Sequence, residues 1–472
     1  AAPLPPARPV GPAAVRAGEG ARLLRDALRG GLTGEAGFLV ADAETGETLE
    51  AVAPDAPFAP ASVAKAPTAL YALERLGAQT RFATRVAATG PREGDLIRGD
   101  VILIGGGDPE LDSADLARLA AALAAAGLRG ATGRLIVDPG PLPVLPRIDG
   151  DQPAEAAYNP SVGGLNLNYN RVRFRWDRGP EGVALALEAH AVGASPPTAA
   201  IAALLETPDC ACPVFAHALG PEGEIWRVRE DMLRGEGSVW LPVRAPLAYA
   251  GDVFRTLAAE AGIALAPPEP GRAPDSARPL AAVRSRPTIE IVADMLRFST
   301  NLTAEALGLA ASAASGGRPE TLSESAAAMC AWASARAGFP EDDTGFHLAN
   351  HSGLTAESAA SPRRMAEFLR AARETALPGL LEERRFGDRG APAPEGAEVA
   401  AKTGTLDFAR GLAGYARAAS GRRLVFAYFA NDLERRAETR GMGRRPPGAR
   451  GWRNRAQALE RALLRSWTRR FG

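Results

Sequence analysis

The sequence predicts an α+β protein of more than one domain, and three observations carry that expectation. Its 472 residues amount to about three domains' worth at roughly 150 residues each. Segments with the apolar spacing of helices are interleaved with segments that alternate like strands, and neither kind dominates. A hydrophobic content of 46% is enough to build a buried core and excludes broad disorder.

The elements follow in order. Residues 18–30 read as a first helix, and GFLVADAETGETLEAV (37–52) alternates like a hairpin with Thr45-Gly46 at its turn. From Ser62 onward, Val63, Ala66, Leu70, Leu73 and Leu76 fall near helical spacing, and Gly77 supplies the stop. Pro67 is an oddity so close to a helix start, because it removes a backbone donor and can bend the first turns. DVILIGGGDPEL (100–111) is a strand running into a Gly turn, SADLARLAAALAAAG (113–127) a helix and GRLIVD (133–138) a strand, together a β-α-β run. Residues 139–163 are rich in Pro and Gly and mark a boundary. LNLNYNRVRFRW (165–176) and VALALEAHAV (183–192) alternate like strands, and little helical pattern appears between 160 and 245, so a small β-rich domain is expected there. Helix returns at 245–263, 266–279 reads as a linker, and helices follow around 287–297, 303–314 and 320–338. A stretch of Pro, Gly and acids at 387–398 precedes two strands, 411–419 and 422–432, and 452–470 forms a final helix.

Charge and composition narrow the function classes. Fifty-five basic residues balance 55 acidic ones, which argues against a mainly electrostatic role with nucleic acid or an acidic membrane. No run of 18 uncharged apolar residues predicts a spanning helix. Three cysteines, Cys210, Cys212 and Cys330, rule out a disulfide-dense scaffold and a four-cysteine zinc site. Cys210 and Cys212 sit close for loop closure, yet could pair in an oxidising compartment. His347 and His351 are four apart, but no Glu follows the first, so zinc is not expected. The glycines at 105–107 lack the spacing of a phosphate loop and read as a tight turn. The N-terminus, Ala1-Ala-Pro-Leu-Pro-Pro, reads as the product of signal-peptide cleavage in an exported protein, or else as an arbitrary start. The Arg-rich final helix reads as a solvated face, with wall or membrane-surface attraction as the lesser alternative.

One count is more informative than the rest. Only two lysines occur, Lys65 and Lys402, leaving 53 arginines. Heavy use of Ala, Gly, Pro and Arg is the mark of a GC-rich genome, in which Arg replaces Lys wherever it will serve. Arg cannot release its proton near neutral pH, so the remaining lysines are candidates for sites needing a titratable amine or a compact ammonium. Ser62-Val-Ala-Lys65 opens a predicted helix, and residues three apart share a face, so hydroxyl and amine can meet. A neutral lysine there can take the serine's proton and make it a nucleophile. Lys402-Thr403-Gly404-Thr405 lies just before a predicted strand. As an edge strand it offers an ammonium, hydroxyls and an approachable backbone, which suit a substrate carboxylate and a developing oxyanion. Ser299-Thr-Asn301 sits between two predicted helices, where a hydroxyl can relay a proton and an amide can orient a peptide. Chance would supply Ser-x-x-Lys about 0.1 times and Lys-Thr-Gly about 0.01 times in such a chain.

This ordered set resembles the penicilloyl serine transferase superfamily. More narrowly it resembles the D-alanyl-D-alanine carboxypeptidase/endopeptidase family of class C low-molecular-mass penicillin-binding proteins. LIGGGDPEL (103–111), the 237-residue spacing from Ser62 to Ser299, HSGLTAESAASPRRM (351–365), KTGTLDFARGLAGY (402–415) and VFAYFAND (425–432) support it. The resemblance implies a split β-lactamase/transpeptidase-like catalytic domain, 1–88 plus 284–472, with an antiparallel five-stranded sheet flanked by helices. Two smaller domains would be inserted: an α/β domain II (89–148 and 241–283) and a β-rich domain III (149–240). It implies that Ser62 is acylated, Lys65 is its base, and Ser299 and Asn301 form a second wall. Lys402, Thr403 and Thr405 would hold the substrate carboxylate, and the N–H groups of Ser62 and Thr405 the oxyanion. The implied partners are peptidoglycan stem peptides and cross-links, with β-lactams as covalent inhibitors, in the periplasm, without cofactor or metal. The rival enzyme is a β-lactamase or esterase of the same superfamily, and the rival outside enzymes is a non-hydrolytic penicillin or muropeptide sensor.

Three positions depart from the family pattern. Thr300 stands where relatives often have Asp. Ala356, followed by Glu357, stands where relatives can carry an Arg that holds a charged stem side chain. Asp407 is acidic where relatives can be neutral. Asp151 (or Asp149) loosely matches an Asp that relatives use to bind the amino group of diaminopimelate, and it reads equally as a solvated turn residue.

Overall fold

Five antiparallel strands in the order Glu398–Leu406, Ala409–Arg417, Arg423–Asn431, Glu35–Asp42 and Thr48–Val52 make the main sheet of the computed structural model. Residues 18–207, 212–220, 223–384, 386, 396–439, 442 and 446–471 are described. The Cys210–Cys212 pairing lies outside them, because Cys210 does. The chain divides into two compact units, Ala1–Ala66 with Cys330–Leu348 and Ala356–Gly472, and Pro67–Met329 with Ala349–Thr355.

In the first unit the sheet is covered on both faces, so its middle strand, Arg423–Asn431, is buried along almost its whole length. Phe38, Val40, Val399, Ala401, Leu412, Phe426 and Tyr428 form one apolar core with Trp452, Leu459, Leu463 and Trp467 of the C-terminal helix Ala449–Arg470. Against the other face packs the helix Pro362–Ala371, whose Leu369 carbonyl accepts the Tyr415 hydroxyl at 2.7 Å. The first hairpin turns at Gly46, which has a φ of 79°.

The Lys402 segment forms an edge strand, Glu398–Leu406, and precedes the strand Ala409–Arg417, as the motif reading expects, although no alternating pattern announces it. Its small residues carry little β-propensity of their own, and pairing with the next strand forms it.

The second unit holds a five-stranded sheet in the order Pro268–Pro270, Leu135–Asp138, Val101–Ile104, Ala83–Ala88 and Arg278–Arg284. The helices Ser113–Ala125 and Pro246–Glu260 share its core, and Val101–Ile104 pairs in parallel with Leu135–Asp138, as a β-α-β run requires. Three glycines follow. At the first two a side chain would collide with backbone, a Cβ on Gly106 standing 2.1 Å from the Ala83 carbonyl oxygen, and the third, Gly107, has a φ of 82°. Two three-stranded sheets occupy 171–242.

Two readings change here. The segment 266–279 holds the short edge strand Pro268–Pro270 and opens the strand Arg278–Arg284. Prolines are tolerated at a sheet edge, where no ladder donor is needed. The alternating LNLNYN run does not extend: Asn168, Tyr169 and Asn170 are all left-handed, with φ of 51°, 58° and 48°, and the strand begins at Arg171. Asn168 repays the conformation by accepting the Ser113 N–H at 3.1 Å and donating to the Ser113 hydroxyl at 2.9 Å.

His351 anchors the interior of this unit. Its ring occupies the space that a side chain on Gly308 would need, stacks on Tyr71 at 6.5 Å, and meets the Ser325 hydroxyl at 2.8 Å. Burial drives the imidazole down from its ordinary 6.5 to about 3. The folded protein therefore keeps a neutral ring, while the unfolded chain takes up a proton below about 6.5. The stability this contributes is complete above pH 6.5 and is lost as pH falls toward about 3. In urea titrations between about pH 6.5 and about pH 4, wild type is expected to lose more stability than His351→Gln, by at most ~1.4 kcal/mol per pH unit. Equal losses would show that the ring is not excluded from protons.

Candidate active site

Ser62 lies in a 3-10 turn, Ala61–Ala64, which passes into the helix Lys65–Leu76. Pro67 falls in the first helical turn, where the missing N–H has no helical partner to lose. The turn is entered through Ala61, which is fully buried with a φ of 48°, an unusual conformation for a residue with a side chain. Neighbours hold it there. Asn431 accepts the Ala59 N–H at 2.6 Å and donates to the Ala59 carbonyl at 3.3 Å. Phe58 exchanges backbone hydrogen bonds with Ala360 at 3.1 and 2.8 Å. The result is a half-buried Ser62 hydroxyl 2.9 Å from the Nζ of Lys65, whose side chain is 0% exposed. Long cationic side chains are rarely buried so completely without a purpose at that spot.

The Lys402 strand runs directly beside this turn. A Cβ on Gly404 would stand 2.4 Å from the Pro60 carbonyl oxygen and 3.1 Å from the Ser62 nitrogen. Only glycine lets the two backbones approach so closely. The outer edge of the strand is covered at its start, where Arg384 N–H reaches the Val399 carbonyl at 2.7 Å and Ala401 N–H the Glu382 carbonyl at 3.1 Å. Strand alternation points the N–H groups of Thr403 and Thr405 the same way as that of Ala401. They therefore face outward beyond that cover, where among the described residues no backbone group pairs with them, as docking of an extended peptide requires. Lys402 is buried, and its Nζ donates to the Thr403 carbonyl at 2.9 Å. Burial lowers its pKa to about 8, with Arg384 and Arg410 acting in the same direction and Glu382 against them.

The remaining expected residues have separate settings. Ser299 terminates the helix Thr288–Phe298 in the left-handed conformation, with a φ of 58°. Asn301 opens the next helix, Asn301–Ala314, and its side-chain amide donates to the Tyr158 carbonyl at 2.9 Å. Asp151 is exposed and gives its N–H to the Asp149 carboxylate at 3.2 Å, while Gln152 donates to the other Asp149 oxygen at 2.7 Å. Asp149 is thus engaged in shaping its own turn. Asp407 occupies the turn after the Lys402 strand, where desolvation raises its carboxyl above the usual range and Arg436 and Arg453 pull it down. Among the described residues no cluster of three or more His, Cys, Asp or Glu could hold a metal ion.

Sequence reasoning missed Asn431, Arg410 and Glu460. Asn431 pins the Ser62 turn, and Arg410 donates to the Thr405 hydroxyl at 2.7 Å. The available signal was a charge at 410 amid small and apolar neighbours in FARGLAGY.

A family model described as the D-Ala-D-Ala carboxypeptidase 3 (S13) family matches residues 23–444. The chain belongs to that family. It is a serine-type carboxypeptidase, a hydrolase of the low-molecular-mass penicillin-binding proteins. Carboxypeptidase Rv3627c of Mycobacterium tuberculosis (strain ATCC 25618 / H37Rv) is 29% identical to this carboxypeptidase over 408 residues, 83% of this chain and 75% of the relative. The D-alanyl-D-alanine carboxypeptidase of Actinomadura sp. (strain R39) is 41% identical over 114 residues, 24% of this chain and 20% of that protein. Penicillin-binding protein 4 of Haemophilus influenzae shares the fold at 19% identity, with a TM-score of 0.76 over 96% of this chain and 99% of that one. Its structure in complex with a β-lactam gives a TM-score of 0.73 at 20% identity, over 94% and 99%. Among the described residues of this carboxypeptidase no helix is long and apolar enough to cross a membrane.

The close approach at Gly404 makes a direct prediction. In Gly404→Ala the new methyl meets backbone, which cannot rotate away, so strand and turn must separate. Acylation by a fluorescent penicillin is expected to slow by about 10²-fold or more, the scale of a misplaced reacting group. An unchanged rate would show that strand and turn need no such approach.

Proposed function

We propose that this carboxypeptidase is a periplasmic D,D-peptidase. It would cleave D-Ala-D-Ala termini and/or D-Ala–meso-diaminopimelate cross-links of peptidoglycan through an acyl-Ser62 intermediate. The observation that carries this reading is the 2.9 Å contact of Ser62 with a buried lysine, set beside the strand edge at Gly404. Neutral Lys65 takes the Ser62 proton as Oγ attacks the carbonyl carbon. The N–H groups of Ser62 and Thr405 hold the resulting oxyanion. Collapse breaks the peptide bond, and the leaving amine takes up the proton that Lys65 accepted, which leaves Lys65 neutral again. Water then attacks the ester, with Lys65 again the base, and releases the shortened peptide.

Lys402 and the hydroxyls of Thr403 and Thr405 bind the carboxylate beside the scissile bond. The motif order assigns Ser299 to proton relay and Asn301 to orienting the peptide. Covalent inhibition by β-lactams follows from the same acylation, and the β-lactam complex of the Haemophilus influenzae relative supports it. Asp407, and Asp151 with Asp149, are proposed only as contacts for a stem-peptide side chain bearing an amine.

Incubation with labelled penicillin followed by peptide mapping is expected to give one adduct, on Ser62. An unlabelled protein, or a label elsewhere, overturns the assignment. Lys65→Arg keeps the charge but not the proton transfer, so acylation should fall by about 10²–10⁴-fold. A near-normal rate would remove Lys65 as the base.

Lys402 adds a pH dependence with a defined sign. Its positive charge is present below about pH 8 and is lost as pH rises through that value. KM for a carboxylate-ended substrate should rise above about pH 8, and Lys402→Arg should move that rise to higher pH. A KM that stays flat to about pH 9.5 in wild type would separate Lys402 from carboxylate binding.

A further inference from the structure

Behind Thr405 lies a buried pair of charges that the reaction as written does not use. Arg410 stands opposite Thr405 in the strand register and is 4% exposed. Its Nε and Nη2 donate to the two oxygens of Glu460 at 2.6 and 2.8 Å, and its Nη1 donates to the Thr405 hydroxyl at 2.7 Å. Glu460 is 7% exposed and comes from the C-terminal helix, held against the sheet by Trp452, Leu459, Leu463 and Trp467. The fork is therefore fixed on both sides, by a planar bidentate partner and by the core around it.

A guanidinium has donors only, so the Thr405 oxygen must be the acceptor in this contact. Its single proton is left to point elsewhere. Thr405 is exposed, and among the described residues nothing accepts that proton. The hydroxyl is thereby presented at the strand edge as a donor, polarised by the cation behind it. Such a donor, together with the Lys402 ammonium, suits a carboxylate, which only accepts. A carboxamide brings an NH2 group of its own, which would face donors. A buried ion pair contributes little net stability compared with apolar packing, so positioning gives this one a reason to exist.

We propose that Arg410, locked by Glu460, is a positioning residue that fixes Thr405 as a hydrogen-bond donor and so selects substrates with a free carboxylate beside the scissile bond. This rests on the D,D-peptidase reading and adds to it the pair of residues, Arg410 and Glu460, that orients the Thr405 hydroxyl toward the carboxylate.

The test compares two synthetic stem peptides, one ending in D-Ala-D-Ala carboxylate and the other in its carboxamide. The full chain is assayed as wild type, as Arg410→Met with Glu460→Gln, and as both of these with Thr405→Val. The double substitution leaves no unpaired charge in the core. Relative to wild type it should lower the carboxylate-to-carboxamide ratio of kcat/KM by about tenfold, chiefly through KM, as expected for one charge-assisted hydrogen bond. Once Thr405→Val has removed the hydroxyl, the same two substitutions should shift the ratio by less than about twofold. A folded double variant that keeps the wild-type ratio overturns the proposal. An undiminished tenfold loss in the Thr405→Val background overturns it as well. Should the double variant fail to fold, Arg410→Lys must lower the ratio, because an ammonium cannot serve Glu460 bidentately and Thr405 from one plane; an unaltered ratio there is equally fatal. If wild type hydrolyses neither peptide, the D,D-peptidase reading falls and takes the proposal with it. Hydrolysis with an unaltered ratio in the variants sinks the proposal alone.

Discussion

Two backbones meet where Gly404 passes the Ser62 turn, and the geometry of the first unit depends on that contact. A strand edge can serve as an oxyanion donor and a peptide template only if it lies within hydrogen-bond reach of the nucleophile. A Cβ at 404 would sit 2.4 Å from the Pro60 carbonyl oxygen, so even alanine would push the edge away. The sheet then acts as the ruler. Asn431, at the end of the strand Arg423–Asn431, holds Ala59 on the approach to the turn. One strand further out, Ala409–Arg417 sets the register of the Lys402 strand. Turn and edge are thus fixed to a common frame of buried backbone, the most rigid material a small domain has.

Charge burial tells a matching story. Lysine is ordinarily among the most exposed residues, yet Lys65 is 0% and Lys402 3% exposed. Arg410 and Glu460 are nearly as deep, although the surface carries many ion pairs that contribute little. Two lysines and an arginine therefore stand close to one strand without the solvent that normally surrounds such side chains. Burial first, and then Arg384 and Arg410, lower the Lys402 pKa.

Much of the fold was legible. Helices with a strong apolar period, such as Ser113–Ala125 and Pro246–Glu260, were expected within a few residues of where they lie, as was the hairpin turning at Gly46. Where the local pattern was silent or misleading, the cause is physical. Ala400-Ala-Lys-Thr-Gly404 has almost no strand propensity of its own and becomes a strand because its neighbour pairs with it. LNLNYN alternates correctly for a strand, but buried amide hydrogen bonds pay for three left-handed residues instead. Pro268–Pro270 resembles a linker because proline is rare in strands, and a sheet edge is the exception.

For the site, the sequence alone determined that a hydroxyl and a scarce lysine amine would meet, at Ser62 and Lys65. Scarcity of lysine and a three-residue spacing are local facts, and helical geometry turns that spacing into a contact wherever the helix forms. It could not determine how the strand edge is charged or which way its hydroxyl points. Arg410 and Glu460 are fifty residues apart and carry no shared pattern, so their pairing exists only once a helix has packed across the sheet. Short-range periodicity is written in the chain itself, whereas the direction of a hydrogen bond between distant groups is set by the packing that brings them together.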